Sequence, residues 1–417
     1  MADADEKLVV AIDDIRAAAA IVEGQVVRTP TLRAPALSAL TGADVFVKYE
    51  NMQVTGAFKE RGAIVRLAAL TRDERQQGVI AMSAGNHAQA VAFHAKRLGI
   101  PATIVMPLLT PMVKVLNTKA HGARVILHGE TLSEAQTRCA ELAQAEGLTL
   151  VHPYDDPHVI AGQGTIALEM LADAPDLDVL IVPIGGGGLI SGIAVAARAL
   201  KPEIEIVGVE AALFPSFWNA LHDEQRPLGG PTLAEGIAVK NVGRLTLPIV
   251  RTHVSRIALV EEPDIERAVN GFATHQRTMA EGAGAAGLAA MLADPDPYRG
   301  KRVGLVLCGG NIDARLLASI MVRELERESR IMSFRIVMQD RPGLLGALAT
   351  QIGQSGANIL EVSHRRLMLD VPVRSISVDL TVEIRDSLHA DQVLGDLSAA
   401  GMRATRLRQG SNDPIAD

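Results

Sequence analysis

Aromatic residues are scarce in this chain. They make up 3% of 417 residues, with one tryptophan and three tyrosines, too few for the stacking platforms on which single-stranded nucleic acids are held. There is no excess of positive charge either. The net charge is -7 and no basic patch is concentrated in one segment, which argues against nucleic acid as a partner. Cysteine occurs twice, at Cys139 and Cys308, and two cysteines build neither a disulfide framework nor a metal cluster. No apolar run approaches a membrane span, and the acidic start Met1-Ala2-Asp3-Ala4-Asp5-Glu6 is unlike a signal peptide. The expectation is a cytoplasmic protein without a membrane partner.

What is present is a large apolar fraction, 48% of a chain long enough for two or three domains. Strand-like runs lie at Val45–Tyr49, Val79–Met82, Ala102–Met106, Arg124–Leu127, Leu148–His152, Val179–Ile184 and Glu205–Val209. Helical patterns separate them. Ala88, Val91, Ala92, Ala95 and Leu98 form one stripe, closed by Gly99 and Pro101, and Thr131-Leu132-Ser133-Glu134 is a capping box for a helix that stops at Gly147. Such alternation predicts parallel sheets covered by helices, in two α/β lobes. Near residue 330 the pattern changes. A charged helical stretch, Arg323 to Arg330, precedes Ser333–Met338, a helical run Leu344–Gly356, strands at Asn358–Ser363 and Ile376–Ile384, a helix around Ala390–Gly401 and a last short strand. That β-α-β-β-α-β order predicts a ferredoxin-like module. The expected division is 1–325 for the main domain, with a small lobe about 50–150 inserted in a larger one, a linker 326–332, the module 333–410 and a tail 411–417.

Three loops at strand ends carry chemistry. In Val54-Thr55-Gly56-Ala57-Phe58-Lys59-Glu60-Arg61-Gly62-Ala63, Thr55 and Gly56 read as a helix start that puts Lys59 in the first turn beside apolar Phe58. Lost hydration and the positive end of the helix dipole favour a neutral, nucleophilic amine, suited to imine chemistry with an aldehyde. Ser83-Ala84-Gly85-Asn86-His87-Ala88-Gln89 joins a strand to a helix N-terminus, a place for a carboxylate. The same residues also read as a tight turn, with Gly85 at positive φ and Asn86 as the cap. Gly185-Gly186-Gly187-Gly188-Leu189 joins Val179–Ile184 to the helix Ile190–Leu200, and its bare backbone amides suit a phosphate. Glu210, about 20 residues on, raises a nicotinamide site as an alternative. The glycine spacing matches that fingerprint loosely, and a dinucleotide leaves the Lys59 loop without a purpose. One phosphate, one lysine and one carboxylate pocket read as pyridoxal phosphate acting on an amino acid.

The segments Lys48-Tyr49-Glu50-Asn51-Met52-Gln53-Val54-Thr55-Gly56-Ala57-Phe58-Lys59, Ser83–Gln89, Pro153-Tyr154-Asp155-Asp156-Pro157 with Gly162-Gln163-Gly164-Thr165, and the tetraglycine loop, in this order over about residues 20–320, resemble the threonine dehydratase family. This family belongs to the fold type II, tryptophan-synthase-β-like, pyridoxal phosphate enzymes. The resemblance implies that Lys59 holds the cofactor covalently and then takes the substrate α-proton, that Phe58 packs beside the ring and that Asn86 bonds the ring hydroxyl oxygen. It implies that the amides of Gly185, Gly186, Gly187, Gly188 and Leu189 bind the phosphate, and that Ser83, Ala84, Gly85 and His87 hold the substrate carboxylate. Cys308, in Leu307-Cys308-Gly309-Gly310-Asn311, aligns with the position facing the pyridine nitrogen, although a free cysteine is also an ordinary small core residue.

Departures from related proteins narrow the activity. Related serine racemases carry a second serine where Ala84 stands, so racemisation is not expected, and Ala57 replaces a serine in the lysine motif. Glu210 and the loop to Ser216 align near a cation site of some relatives, but a structural strand-end role is preferred and any metal is left unassigned. Glu281, in Glu281-Gly282-Ala283-Gly284-Ala285, matches a motif lining the cofactor pocket, with no role given to it. The implied reaction is L-threonine ammonia-lyase activity, with L-serine as a smaller substrate. A 3-hydroxyaspartate or serine dehydratase is the near alternative, and a catalytically silent amino-acid-binding regulator the distant one.

The C-terminal module, with Asp340-Arg341-Pro342-Gly343 and Gly356-Ala357-Asn358-Ile359, resembles an ACT regulatory domain. That resemblance implies pairing of modules in a homodimer or homotetramer and an amino-acid effector held near Gly343 and Asn358, isoleucine or valine ahead of AMP. A module used only for assembly is the alternative.

Overall fold

The computed structural model describes residues 8–365 and 375–407. The acidic segment 1–6, the end of the expected module at 408–410 and the expected tail 411–417 lie outside the described residues. The chain divides into compact units at Asp313 and Ala314.

The first unit contains two sheets. The larger comprises β1 Thr31–Arg33, β2 Asp44–Tyr49, β7 Val179–Pro183, β8 Glu205–Ala211, β9 Arg256–Val260 and β10 Arg302–Leu307, in the order β1-β2-β10-β7-β8-β9. All its pairings are parallel except β1 on β2. The smaller comprises β3 Val79–Met82, β4 Ala102–Met106, β5 Arg124–Leu127 and β6 Thr149–Leu150, in the order β5-β4-β3-β6, all parallel. It lies in sequence between β2 and β7. Burial explains the continuous apolar runs: β7 is buried at every position and β3 at all but its last, as strands covered on both faces must be.

Local signals act where the sequence places them. Gly99 and Gly147 end their helices in the left-handed region, at φ 67° each, and Thr131 accepts the backbone N–H of Glu134. The run Leu148–His152 narrows to Thr149–Leu150, because the chain turns at His152, whose Nδ1 accepts the N–H groups of Tyr154 and Asp155. Three strands absent from the pattern are β1, β9 and β10. The first has only three residues, and the second is partly exposed at three of its five positions. The sheet order, not the run of residues, makes β10 a central strand.

A buried ionic cluster anchors the helix that carries Lys59, Lys59–Ala68. Arg61 grips both carboxylate oxygens of Glu50, at 2.9 and 2.8 Å, and also reaches Glu169 at 2.7 Å. Lys48 completes it with a 2.5 Å bond to Glu169. Arg61, Glu50 and Lys48 are fully buried, a placement that charged groups tolerate only when paired in this way.

In the second unit the helix Ala314–Arg327 precedes β11 Ile331–Gln339, so only residues 328–330 separate them. Then follow the helix Leu344–Gln354, β12 Asn358–Arg365, β13 Ser375–Glu383, the helix Ser387–Ala399 and β14 Ala404–Leu407. The sheet is antiparallel in the order β12-β13-β11-β14, around a core that includes Phe334, Ile352, Leu380 and Val393. Gly343 is the left-handed cap of its helix, at φ 86°, and Asn358 opens β12. Register separates the two. Asn358 stands opposite Glu383, whereas Gly343 lies beyond Gln339, which stands opposite Ser375. Eight strand residues put them about 25 Å apart along the sheet, so one unit does not bring them together.

Candidate active site

Lys59 is the first residue of its helix, and its ε-nitrogen donates a 2.7 Å hydrogen bond to the carbonyl of Pro153. The helix begins later than Thr55 and Gly56 suggest. Gly56 is left-handed, at φ 75°, Ala57 bridges to Gly309 and the N–H of Phe58 donates to the carbonyl of Cys308. The peptide before Lys59 is thus stitched to the end of β10. Phe58 is buried beside the amine, its ring centroid 5.1 Å from Nζ. Burial lowers the Lys59 pKa to about 8, partly opposed by Cys308 and Glu281 nearby. The expected helix start therefore gives way to a β-bridge, while the amine's lowered pKa is present, with burial as its main cause.

The Ser83–His87 loop leaves β3 and enters the helix Asn86–Leu98. Ser83 Oγ accepts the N–H of Gly85, and Gly85 is the helix cap at φ -139°, so the turn needs no left-handed glycine. Asn86 does not cap the helix. Its Nδ2 donates to Glu281 Oε1 at 2.7 Å, and its Oδ1 accepts Asn311 Nδ2 at 2.8 Å. Asn311 also donates to the carbonyl of Thr55 at 2.7 Å. His87 is buried, its Nε2 is 2.8 Å from the Val151 carbonyl, and burial next to Lys59 lowers its pKa to about 3. It is a neutral buttress under the loop.

In the tetraglycine loop, Gly187 caps the helix Gly188–Leu200 at φ 91°. A side chain on Gly186 would overlap the Tyr154 ring, and a Cβ on Gly187 would come within 2.5 Å of Phe217 and 2.7 Å of Thr246 Oγ1. Thr246 also donates to the Gly186 carbonyl at 2.8 Å. Among the described residues, the N–H groups of Gly185 to Leu189 meet no backbone acceptor. Pro153 and Tyr154 tie this loop to Lys59, one by its carbonyl and the other by its ring.

Cys308 follows the last residue of β10 and is buried, and burial with the charge of Glu281 pushes its thiol up, so that it stays protonated. Glu281 is itself raised to about 7 by burial. Gly309 lies between these groups, where a Cβ would collide with Glu281 Oε1. Glu210 stands apart from the site. Its two oxygens accept the N–H groups of Phe217 and Trp218 at the start of the helix Ser216–His222, at 2.8 and 2.9 Å. That is the strand-end structural role, and no ligand cluster for a metal occurs among the described residues.

A family profile described as "Pyridoxal-phosphate dependent enzyme" matches residues 22–309. The chain belongs to this family. An L-threonine ammonia-lyase of Thermotoga maritima is 41% identical over 394 residues, covering 94% of this chain and 98% of the relative. Among solved structures, the processed form of threonine deaminase isoform 2 from Solanum lycopersicum is 35% identical with a TM-score of 0.71, over 75% of this chain and 86% of that one. A maize serine racemase is also 35% identical with a TM-score of 0.71, over 77% of this chain and 99% of that one.

The enzyme's residues fit pyridoxal phosphate. Five consecutive backbone N–H groups without backbone acceptors, at a helix N-terminus, suit its phosphate, and Lys59 offers a partly neutral amine for its aldehyde. Pro153, Tyr154, Glu281 and Asn311 are site groups beyond those assigned from sequence. The motifs Pro153–Pro157, Glu281–Ala285 and Leu307–Asn311 signalled their neighbourhood, but Asn311 as the bridge between Thr55 and Asn86 carried no signal. No helix among the described residues is long and apolar enough to cross a membrane.

Proposed function

We propose that this protein is an L-threonine ammonia-lyase that converts L-threonine to 2-oxobutanoate and ammonia, and L-serine to pyruvate. The observation that carries the reading is the half-buried amine of Lys59, its pKa lowered to about 8, hydrogen-bonded to Pro153 and close to His87 of the Ser83–His87 loop. The similarity to an L-threonine ammonia-lyase over 94% of the chain supports the substrate.

Lys59 would hold the cofactor, the amides of Gly185 to Leu189 its phosphate and Asn86 its ring oxygen, with Phe58 and Cys308 against the ring. When bound, the cofactor supplies an electron sink for the α-carbon of an amino acid. The protein does the rest. Amides of the Ser83–His87 loop orient the substrate carboxylate, and Lys59 Nζ, released as a neutral base, takes the α-proton. The hydroxyl on the β-carbon gains a proton, in net balance the one Lys59 removed from the α-carbon, and departs as water; hydrolysis of the unsaturated amine product then consumes one water and yields oxo acid and ammonia. Cys308, its thiol pKa pushed up by burial, would face the ring as a neutral group and offer its nitrogen no counter-charge, which would favour prompt elimination. Ala84 has no proton to deliver to the opposite face, which disfavours racemisation. One methyl fewer in the pocket changes binding by about 1–3 kcal/mol, so L-serine also reacts.

The second unit acts, in this reading, as an ACT-like regulatory module in a homodimer or homotetramer. The wide separation of Gly343 and Asn358 supports an effector site assembled from two copies. The buried free thiols of Cys139 and Cys308 support a cytoplasmic location.

The test is oxo-acid release by the purified enzyme with L-threonine, L-serine and threo-3-hydroxyaspartate, beside Lys59→Ala. The expected result is 2-oxobutanoate from threonine and a dead variant. Turnover of hydroxyaspartate alone would replace the substrate, and a yellow protein without turnover would leave only an amino-acid-binding regulator.

A further inference from the structure

Glu60 follows Lys59 in the same helical turn and points into the protein. Its Oε1 accepts the N–H of Thr55 at 2.5 Å. Its Oε2 lies 3.8 Å from Nε2 of His94, and both side chains are fully buried. Glu60 Oε2, both ring nitrogens of His94 and Thr55 Oγ1 have no hydrogen-bond partner among the described residues. Four unsatisfied buried polar atoms at one spot are costly, and native interiors rarely keep them so.

The location matters for the site. His94 sits on the helix Asn86–Leu98, whose first residue is Asn86, and Glu60 on the helix whose first residue is Lys59. Thr55 closes a ring between them. Its N–H is held by Glu60, while its carbonyl holds Asn311, which in turn bonds Asn86. Glu60 therefore reaches Asn86 by two routes, one through Thr55 and Asn311, the other through His94.

We propose that Glu60 and His94 share one proton across the 3.8 Å gap and lock the helices bearing Lys59 and Asn86 at a fixed spacing. A movement of about 1 Å brings the pair to hydrogen-bond length. Burial raises the carboxyl pKa of Glu60 and lowers that of His94 to about 3, so it opposes charge on both groups, and a proton held between them relieves both. The other charges that reach the pair are Arg97, felt by both, and Glu50, felt by Glu60. Glu60 is thus a positioning residue. It touches no reactant, and it acts through the placement of Lys59 and Asn86. The inference rests on the assignment of those two residues to the cofactor site.

The test compares Glu60→Gln with Glu60→Leu in the holoenzyme. Glutamine keeps an acceptor for Thr55 and offers His94 a donor, whereas leucine keeps the bulk alone. The readouts are the pH midpoint of the cofactor's visible absorbance, kcat and KM, and the melting temperature. A misplacement of about 1 Å at a reacting centre costs on the order of 10²-fold in rate. Glu60→Leu is expected to lose that much kcat, with KM little changed and a shifted absorbance midpoint, while Glu60→Gln stays near wild type in all three. His94→Leu cuts the same link from the other helix and serves if Glu60→Leu does not fold. A melting temperature that drops while midpoint and kcat stay put would reduce Glu60 to a packing residue and overturn the proposal. Equal damage from glutamine and leucine would overturn it too. A Lys59→Ala control that kept the visible band would instead bring down the cofactor-site assignment beneath it.

Discussion

The side-chain amide of Asn86 donates a 2.7 Å hydrogen bond to Oε1 of Glu281, across 195 residues of sequence. This one bond joins the loop of the smaller sheet to the start of the helix Gly282–Ala293. It does not fully offset the burial of Glu281, whose pKa stays raised from 4.5 to about 7.

A stability signature follows from that shift. The folded state holds a proton on Glu281 between pH 4.5 and 7 that the unfolded chain has shed, so stability falls as pH rises through this window. Glu281→Gln keeps an acceptor for Asn86 and abolishes the titration. The apo variant is expected to exceed wild type in stability by about 1–3 kcal/mol at pH 8, with the gain vanishing near pH 4.5. Denaturant melts at both pH values check this, and a pH-independent difference would contradict it.

Lys59 gives the opposite slope at higher pH. Its folded pKa of about 8 lies below the ordinary 10.5, so the folded state loses its proton first. Stability rises as pH climbs from 8 to 10.5 and is lost again as pH falls back through 8. In the apoenzyme, the difference in melting temperature between wild type and Lys59→Met should grow in favour of wild type over that range. A flat difference would mean that the amine is solvated like any surface lysine.

Gly187→Ala tests the tetraglycine loop. The backbone is left-handed at φ 91°, and the new methyl would press on Phe217 and Thr246. Strain of about 1–3 kcal/mol at that residue should weaken pyridoxal phosphate binding about tenfold or more, read by absorbance titration of the apoenzyme. Gly346→Ala, in open space on the helix Leu344–Gln354, is the control that leaves binding unchanged.

Much of this was legible because the decisive signals are local. The capping box at Thr131, the stop at Gly99 and the apolar runs of β3 and β4 depend on neighbours a few residues away. The lysine loop and the glycine run stood out as a candidate nucleophile and a candidate anion site for the same reason. Local reading misplaced the helix start at Thr55 and Gly56, since the bridge from Ala57 to Gly309 is made by residues some 250 positions apart. Of the alternatives it left open for Asn86, the cap is not realised, since Glu281 and Asn311 use its side chain.

By itself, then, the sequence determined the alternation of strands and helices, the two-lobed class and the cofactor chemistry, and it singled out Lys59 as the nucleophile proposed here. These rest on side-chain pattern and backbone freedom, which act over one or two turns. Only the tertiary structure decided which groups surround that lysine. The carbonyl of Pro153, the thiol of Cys308 and the carboxylate of Glu281 meet there from distant parts of the chain. The resulting exclusion of water moves the pKa values of Lys59 and Glu281, and burial of this kind exists only once the chain is packed.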